Sequence, residues 1–129
     1  MRLLLDSHTL IWSQDDTSQL SAAAHTALSD PANDRLISAA TLWEIAIKVG
    51  KGRLPLSKPF RVWMDTAIAD LALTLLPITL DHAERQSVLP RHHGDPFDRL
   101  LISQALVEGI PIVGDDTVFD TYGVLRIWN

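Results

Sequence analysis

Four acidic residues far apart in the sequence are predicted to meet at one edge of the fold. Asp6 follows an apolar run that is typical of a buried strand, and Asp116 follows another such run. Glu44 lies near the start of a predicted helix, and Asp98 lies in the first turn of a later one. In an open parallel sheet, ligands gather beyond the carboxyl ends of the strands, where the starts of the packed helices also lie. The sequence therefore predicts a cleft lined by four carboxylates.

Clustered carboxylates favour a positive partner, because like charges raise one another's pKa and disfavour the ionised form. The chain contains no cysteine, so the candidate ligands are oxygen atoms, which suit hard ions such as Mg²⁺ or Mn²⁺. Such an ion lowers the pKa of a bound water and stabilises the charge of a phosphoryl transition state. This donor set therefore indicates metal-dependent chemistry at a phosphoryl group.

Each acid also has a structural explanation when it is taken alone. An aspartate after a strand, such as Asp6, is commonly a turn or cap residue, and Glu44 alone is commonly a solvated helix residue. Within the stretch "GDPFDRLL", Asp95 suits the helix N-cap and Pro96 the first helical position. Asp98 then gains from the helix dipole without any catalytic role. The joint placement of the acids favours a site in which Asp98 is the ligand and Asp95 the cap.

The histidines offer a second kind of metal site, but their spacing is unfavourable. His92 and His93 are adjacent in the sequence, whereas two imidazoles on one helix face need a separation of one turn. His8 is far from both in the sequence. A zinc site is therefore not predicted.

Short apolar strands alternate with helices along the chain. Strands are predicted at 2–5, 35–38, 73–78, within 110–116, and at 125–128. Helices are predicted at 7–14, 21–28, 39–49, 60–71, 81–88 and 96–108. The expected helix caps are Ser7, either Thr79 or Asp81, and Asp95. Because continuously apolar strands are buried on both faces, we expect a three-layer α/β/α sandwich with a central parallel sheet, formed by a single domain over residues 1–129.

Composition and charge limit the classes of protein that fit. The chain has 129 residues, of which 47% are hydrophobic, and this suits one globular domain. Asp6 and His8 interrupt the apolar N-terminal stretch, so we expect neither a signal peptide nor a membrane span. The lack of cysteine fits a reducing cytosol, and we expect a cytoplasmic location. The formal net charge is −5, whereas a general nucleic-acid binder is usually basic. A polyanionic substrate would therefore require local basic groups, bound cations or a basic partner.

Four segments of the sequence together form a recognisable pattern. They are "LLLDSHTLIW", "SAATLWEIAIKVGKGRL", "HHGDPFDRLLISQA" and "IVGDD", and they run nearly from end to end. In this order they resemble the PIN domain, and more closely the VapC-type toxins of bacterial and archaeal toxin–antitoxin pairs. The resemblance implies a parallel α/β/α fold and a Mg²⁺- or Mn²⁺-dependent ribonuclease that acts on RNA. It also implies a homodimer that is inhibited by a cognate antitoxin protein.

The resemblance assigns the catalytic and metal-binding roles to Asp6, Glu44, Asp98 and Asp116. The last family motif usually carries a hydroxyl residue two positions before its acid, and Gly114 occupies that place here. Support for the fourth acid is weaker for this reason, and Asp115 is the alternative to Asp116. Candidates for phosphate contacts, each equally well interpreted as a solubility charge, are Lys48, Lys51, Arg53, Arg91 and Arg99.

Two other functions compete with a nuclease. An aspartate-dependent phosphoryl-transfer enzyme would use Asp6 as its nucleophile. Haloacid-dehalogenase-like enzymes carry Asp-x-Asp after the first strand, but this chain reads Asp6-Ser7-His8. The second alternative is a catalytically inactive PIN-like module that only binds a partner. The presence of all the expected acids argues against it.

Overall fold

A parallel sheet of five short strands lies at the centre of the protein. The computed structural model describes residues 1–129. The strands are β1 Arg2–Leu5, β2 Asp34–Ser38, β3 Thr74–Leu76, β4 Ile112–Val113 and β5 Arg126–Ile127, in the order β3-β2-β1-β4-β5. Every neighbouring pair is parallel, so the carboxyl ends of all five strands lie at the same edge. The predicted parallel sheet is confirmed.

Helices cover both faces of this sheet. They are α1 Ser7–Asp15, α2 Ala22–Ser29, α3 Ala39–Gly50, α4 Phe60–Leu71, α5 Leu80–Ser87 and α6 Pro96–Glu108, with short 3-10 helices at Thr17–Gln19 and Thr117–Tyr122. None of them combines the length and the apolar character that a membrane crossing requires. Successive strand residues point to opposite faces. Leu5 accordingly packs in a buried cluster with α1 to α4, whereas Leu4 packs with α6 and the second 3-10 helix. The predicted three-layer sandwich is confirmed.

Most element ends lie within one or two residues of the prediction, and two further differences have a local cause. Helix α1 is capped by Asp6, and the prediction of Ser7 is wrong because Ser7 is already the first helical residue and donates its N–H to the Asp6 side chain. Thr79, one of the two residues expected, caps α5. Strand β3 is shorter than the predicted range 73–78. Pro77 follows its last residue and lacks the N–H that a further ladder hydrogen bond would need.

Candidate metal centre

Asp6 lies at the end of the central strand and is fixed by backbone contacts on both sides. Its N–H donates to the Val113 carbonyl of β4 at 3.0 Å, and its Oδ1 accepts the Ser7 N–H at 2.8 Å. The Thr9 hydroxyl of α1 donates to the same Val113 carbonyl at 2.8 Å. Asp6 is 4% exposed, and its Oδ2 lies 3.7 Å from His8 Nδ1. The contact with Asp6 raises the pKa of His8 above its usual value, although burial opposes this effect.

Glu44 reaches the same edge from α3, whose start is fixed by a buried hydroxyl. Ser38 ends β2 and caps α3 by accepting the Ala40 N–H at 3.0 Å. The Ser38 hydroxyl also donates to the side-chain carbonyl of Gln104 on α6. Glu44 is itself buried, and its Oε2 accepts a hydrogen bond from Lys48 Nζ at 2.7 Å. Burial favours neutral Lys48, but the hydrogen bond to Glu44 and the nearby carboxylates raise the pKa of its ammonium group.

Helix α6 begins as the sequence predicts, with separate roles for its two acids. Asp95 is the N-cap, and its Oδ1 accepts the N–H groups of Phe97 at 2.9 Å and of Asp98 at 3.1 Å. Pro96 is the first helical residue, and Gly109 ends the helix with a φ of 66°. The side chain of Asp98 takes no part in capping. This arrangement leaves the Asp98 carboxylate available at the edge of the sheet.

Burial and the neighbouring acids both raise the pKa of Asp98. It is raised to about 7, first by burial and then by the negative charges of Asp95, Asp6, Glu44 and Asp116. Desolvation and like charges both disfavour the ionised carboxylate. Asp6, Glu44 and Asp116 are therefore each near enough to Asp98 for their charges to act on it, although the four acids come from four separate elements.

Asp116 and Asp115 follow β4 and have different surroundings. Asp116 Oδ1 accepts the Val118 N–H at 3.0 Å and so caps the second 3-10 helix. Asp116 adds to the effect of burial on the pKa of Asp98, whereas Asp115 adds to the effect of Asp6 on the pKa of His8. Of the two, Asp116 is thus the acid that acts on the helix α6 carboxylate. Both line a cavity of about 470 Å³ with His8, Trp12 and Thr117.

Gly114 allows Asp6 to approach the end of β4 closely. A Cβ atom at this position would lie 3.1 Å from Asp6 Cβ and 3.2 Å from the ring of Phe119. Both neighbours are buried, so neither has free space into which to move. A hydroxyl residue at position 114, which the resemblance leads one to expect, would therefore require Asp6 or Phe119 to shift by a few tenths of an ångström.

The acids surround the cleft without forming a preassembled chelating group. No three His, Cys, Asp or Glu side chains are arranged to hold one metal ion as they stand. Basic side chains face three of the acids, in the pairs Glu44–Lys48, Asp6–His8 and Asp98–His93. The donor set nevertheless fits a hard divalent cation, because its ligands are carboxylate oxygens. Burial and the neighbouring carboxylates, which raise the pKa of Asp98 to about 7, disfavour its ionised form in the absence of a cation.

Arg99 has a structural role, so its prediction as a phosphate contact is wrong. It is 5% exposed. Its guanidinium donates to the carbonyls of Leu89 at 3.1 Å and Pro90 at 2.9 Å, and to the Tyr122 hydroxyl at 3.2 Å. These contacts fasten the segment before α6 to the second 3-10 helix. The apolar residues around Arg99 in "DPFDRLLISQA" are a signal of this burial.

His93 and Tyr122 were not predicted as parts of the site. Tyr122 contacts the backbone and the ring of His93, and His93 Nε2 lies 3.5 Å from Asp98 Oδ2. No spacing rule links these residues, because Tyr122 is 29 positions beyond His93. Only the folded chain brings the pair to the acidic edge.

Comparison with known proteins identifies the family of this fold and site. The PIN domain family matches residues 3–125. Ribonuclease VapC22 of Mycobacterium tuberculosis is 31% identical over 115 residues, which cover 88% of this chain and 86% of that protein. The chain therefore belongs to the PIN-domain family. Within that family its similarity to Ribonuclease VapC22 groups it with the VapC-type ribonucleases.

Solved structures share the whole architecture. VapBC2 from Rickettsia felis, bound to a DNA fragment from its promoter, gives a TM-score of 0.75 at 16% identity, with all of both chains covered. FitAcB from Neisseria gonorrhoeae gives a TM-score of 0.65 at 19% identity, with 98% of this chain and 96% of that chain covered. This likeness confirms the fold predicted from the sequence.

Proposed function

We propose that the protein is a Mg²⁺- or Mn²⁺-dependent endoribonuclease and the toxin of a toxin–antitoxin pair. The observation that carries this proposal is the convergence of Asp6, Glu44, Asp98 and Asp116 at the carboxyl edge of the parallel sheet, where burial and neighbouring charges raise the pKa of Asp98 to about 7. Strongly perturbed carboxyl groups in a cleft are typical of functional sites. Membership of the PIN-domain family and similarity to a ribonuclease over most of the chain support the same chemistry.

The cation would be held by Asp6, Glu44, Asp98 and Asp116. When bound, it supplies a water of lowered pKa and stabilises the charge of the phosphoryl transition state. Asp6 and Asp116 each use Oδ1 to accept a backbone N–H, and Oδ2 accepts none in either residue. Oδ2 of Asp6 lies 3.7 Å from His8 Nδ1. Asp98 must be ionised to take part, and a nearby positive charge lowers the pKa of a carboxyl group. Asp98 would therefore release its proton when the cation binds.

Groups around the acids suit a single-stranded RNA. Lys48 remains positively charged beside Glu44 and is partly exposed, so it can meet a phosphate at the edge of the acidic cleft. Lys51, Arg53 and Arg91 are exposed as well. The rings of His8 and Trp12 lie 5.5 Å apart at the wall of the adjoining cavity, and aromatic faces are platforms on which unpaired bases stack.

An exposed apolar groove supports a protein partner as part of the same proposal. Trp43 is 65% exposed and lies edge-on to Phe97. The groove beside it has a volume of about 460 Å³ and is lined largely by apolar side chains of α3 and α4, including Leu42, Trp43, Phe60, Met64 and Ile68. Apolar surface of this kind marks interaction sites. We propose a cytoplasmic homodimer that binds a cognate antitoxin, with no membrane association.

The decisive experiment is cleavage of single-stranded RNA by purified, antitoxin-free protein. We expect cleavage with Mg²⁺ or Mn²⁺ and none in EDTA, with activity restored when the metal is added back. Equal cleavage in EDTA would contradict the metal-dependent mechanism. Absence of cleavage under all conditions, with metal binding retained, would favour the inactive binding module. Asp116→Asn and Asp115→Asn form a matched pair, and only the first is expected to abolish cleavage.

A further inference from the structure

The imidazole of His93 lies between Tyr122 and Asp98 and uses its two nitrogens differently. Its Nδ1 is 2.7 Å from the Tyr122 hydroxyl. Its Nε2 is 3.5 Å from Asp98 Oδ2. The Nε2 atom is buried and has no hydrogen-bond partner in the protein. A buried polar nitrogen without a partner is uncommon and calls for an explanation.

The contacts of Tyr122 determine which nitrogen of His93 carries the proton. The hydroxyl oxygen receives the backbone N–H groups of His92 at 3.2 Å and His93 at 3.1 Å, and a guanidinium N–H of Arg99 at 3.2 Å. A hydroxyl has one proton to donate, and all three of these partners are themselves donors. The hydroxyl proton therefore goes to His93 Nδ1, which must be unprotonated to accept it. In the neutral ring, the proton then resides on Nε2.

The Nε2–H group so defined faces the carboxylate of Asp98. The distance of 3.5 Å is longer than a well-formed N–H···O hydrogen bond. Hydrogen bonds in active sites are often long in the unliganded state and shorten when the complex forms. Carboxylates that bind metals are commonly held by such outer partners, which orient them. The position of Tyr122 is in turn fixed by buried Arg99, which is anchored on the carbonyls of Leu89 and Pro90.

We propose that Tyr122 and His93 are positioning residues for Asp98. Tyr122 fixes the imidazole tautomer, and Nε2–H donates to one carboxylate oxygen, which orients Asp98 and leaves its other oxygen for the cation. The effect on metal binding rests on the proposed function, whereas the tautomer is a property of the metal-free protein. The two parts can therefore be tested separately.

The first test is NMR spectroscopy of the imidazole nitrogens in the metal-free wild-type protein. Long-range ¹H–¹⁵N correlation spectra distinguish a protonated ring nitrogen from an unprotonated one. We expect His93 to be protonated on Nε2 and unprotonated on Nδ1. Tyr122→Phe removes the donor to Nδ1 and should shift His93 towards a mixture of tautomers. A wild-type spectrum with the proton on Nδ1 would overturn the inference, and this measurement requires no variant to fold.

The second test compares two substitutions of His93 by calorimetric titration with Mn²⁺. The amide nitrogen of a glutamine reaches the position of Nε2, whereas that of an asparagine reaches only the position of Nδ1. We expect His93→Gln to retain the wild-type affinity and His93→Asn to bind Mn²⁺ about tenfold or more weakly. Melting temperatures of the two variants in EDTA provide the control for folding.

The outcomes of this titration distinguish the two proposals. Equal affinities for wild type, His93→Gln and His93→Asn would overturn the positioning role and leave the metal site intact. Failure of the wild-type protein to bind Mn²⁺ would overturn the proposed metal-dependent function, and with it the metal-positioning role. The NMR spectrum would then still decide whether Tyr122 sets the tautomer.

Discussion

At the scale of single residues, Asp95 and Asp98 are expected to respond differently to the same substitution. Asp95→Asn should be mild because asparagine also caps helices well, whereas Asp95→Ala should destabilise the protein by about 0.5–2 kcal/mol. Asp98→Asn should leave folding intact and abolish metal-dependent RNA cleavage, because it removes a charged ligand and no capping hydrogen bond. Melting temperature and cleavage rate measured on both Asn variants check this. If Asp98→Asn kept wild-type activity and Asp95→Asn were inactive, Asp95 would be the metal ligand and Asp98 would not.

The stability of the metal-free protein should depend on pH through Asp98. Its pKa is about 7 in the folded protein, against a reference value of 3.8, so between these values the folded chain holds a proton that the unfolded chain has released. The contribution of Asp98 to the free energy of unfolding is therefore greatest at low pH and falls as pH rises towards 7. The free energy of unfolding, measured in EDTA, should decrease less between pH 5 and pH 8 in Asp98→Asn than in the wild-type protein. Identical losses would contradict the raised pKa.

The sequence was informative about residues whose roles depend on near neighbours. Asp95 could be predicted as a cap because Pro96 and the apolar run follow it directly. Arg99 could not be placed, because its partners are the carbonyls of Leu89 and Pro90 and a hydroxyl 23 positions further along. The tautomer of His93 depends on the same hydroxyl. Such contacts exist only once the segment before α6 has packed against the second 3-10 helix.

At the scale of elements, the buried side chain of Gln104 connects the helices that carry Glu44 and Asp98. It accepts the Ser38 hydroxyl at the start of α3 and is fully buried. Gln104→Leu keeps a similar volume but leaves Ser38 without this partner, which should cost about 1–3 kcal/mol of unfolding free energy. Urea denaturation measures this loss. Gln86→Leu is the control, since Gln86 is only partly buried; a comparable loss there would show that Gln104 has no special role.

Element types and order were predictable because periodicity and caps are local signals. Helix α4 was predicted with its observed bounds, and α6 with its cap, first proline and terminal glycine. Strand lengths were less predictable. Strand β4 pairs through only Ile112 and Val113, although the apolar run around it is longer. How far a strand pairs depends on its neighbours in the sheet, and these lie far away in the sequence.

At the scale of the whole molecule, the exposed apolar groove should determine assembly. Trp43→Glu places a charge on the rim of that groove, and it should weaken dimer formation or antitoxin binding without lowering the melting temperature of the isolated protein. Light scattering and copurification with the coexpressed antitoxin measure these effects. Leu80→Glu is the matched control, because Leu80 is 85% exposed at the start of α5. Equal behaviour of the two variants would argue against the groove as an interface.

The second 3-10 helix spans Thr117–Tyr122, with Asp116 as its N-cap and Tyr122 as its last residue. This short helix therefore has an acid of the cleft, Asp116, at its start and the hydroxyl that contacts His93, that of Tyr122, at its end. The number of residues between these two ends sets the distance between them. An insertion or deletion within 117–121 would displace both ends relative to each other, even though most of these side chains lie outside the cleft. Apart from Phe119, which is fully buried in the core, the residues of this segment should therefore tolerate changes of type far better than changes of length.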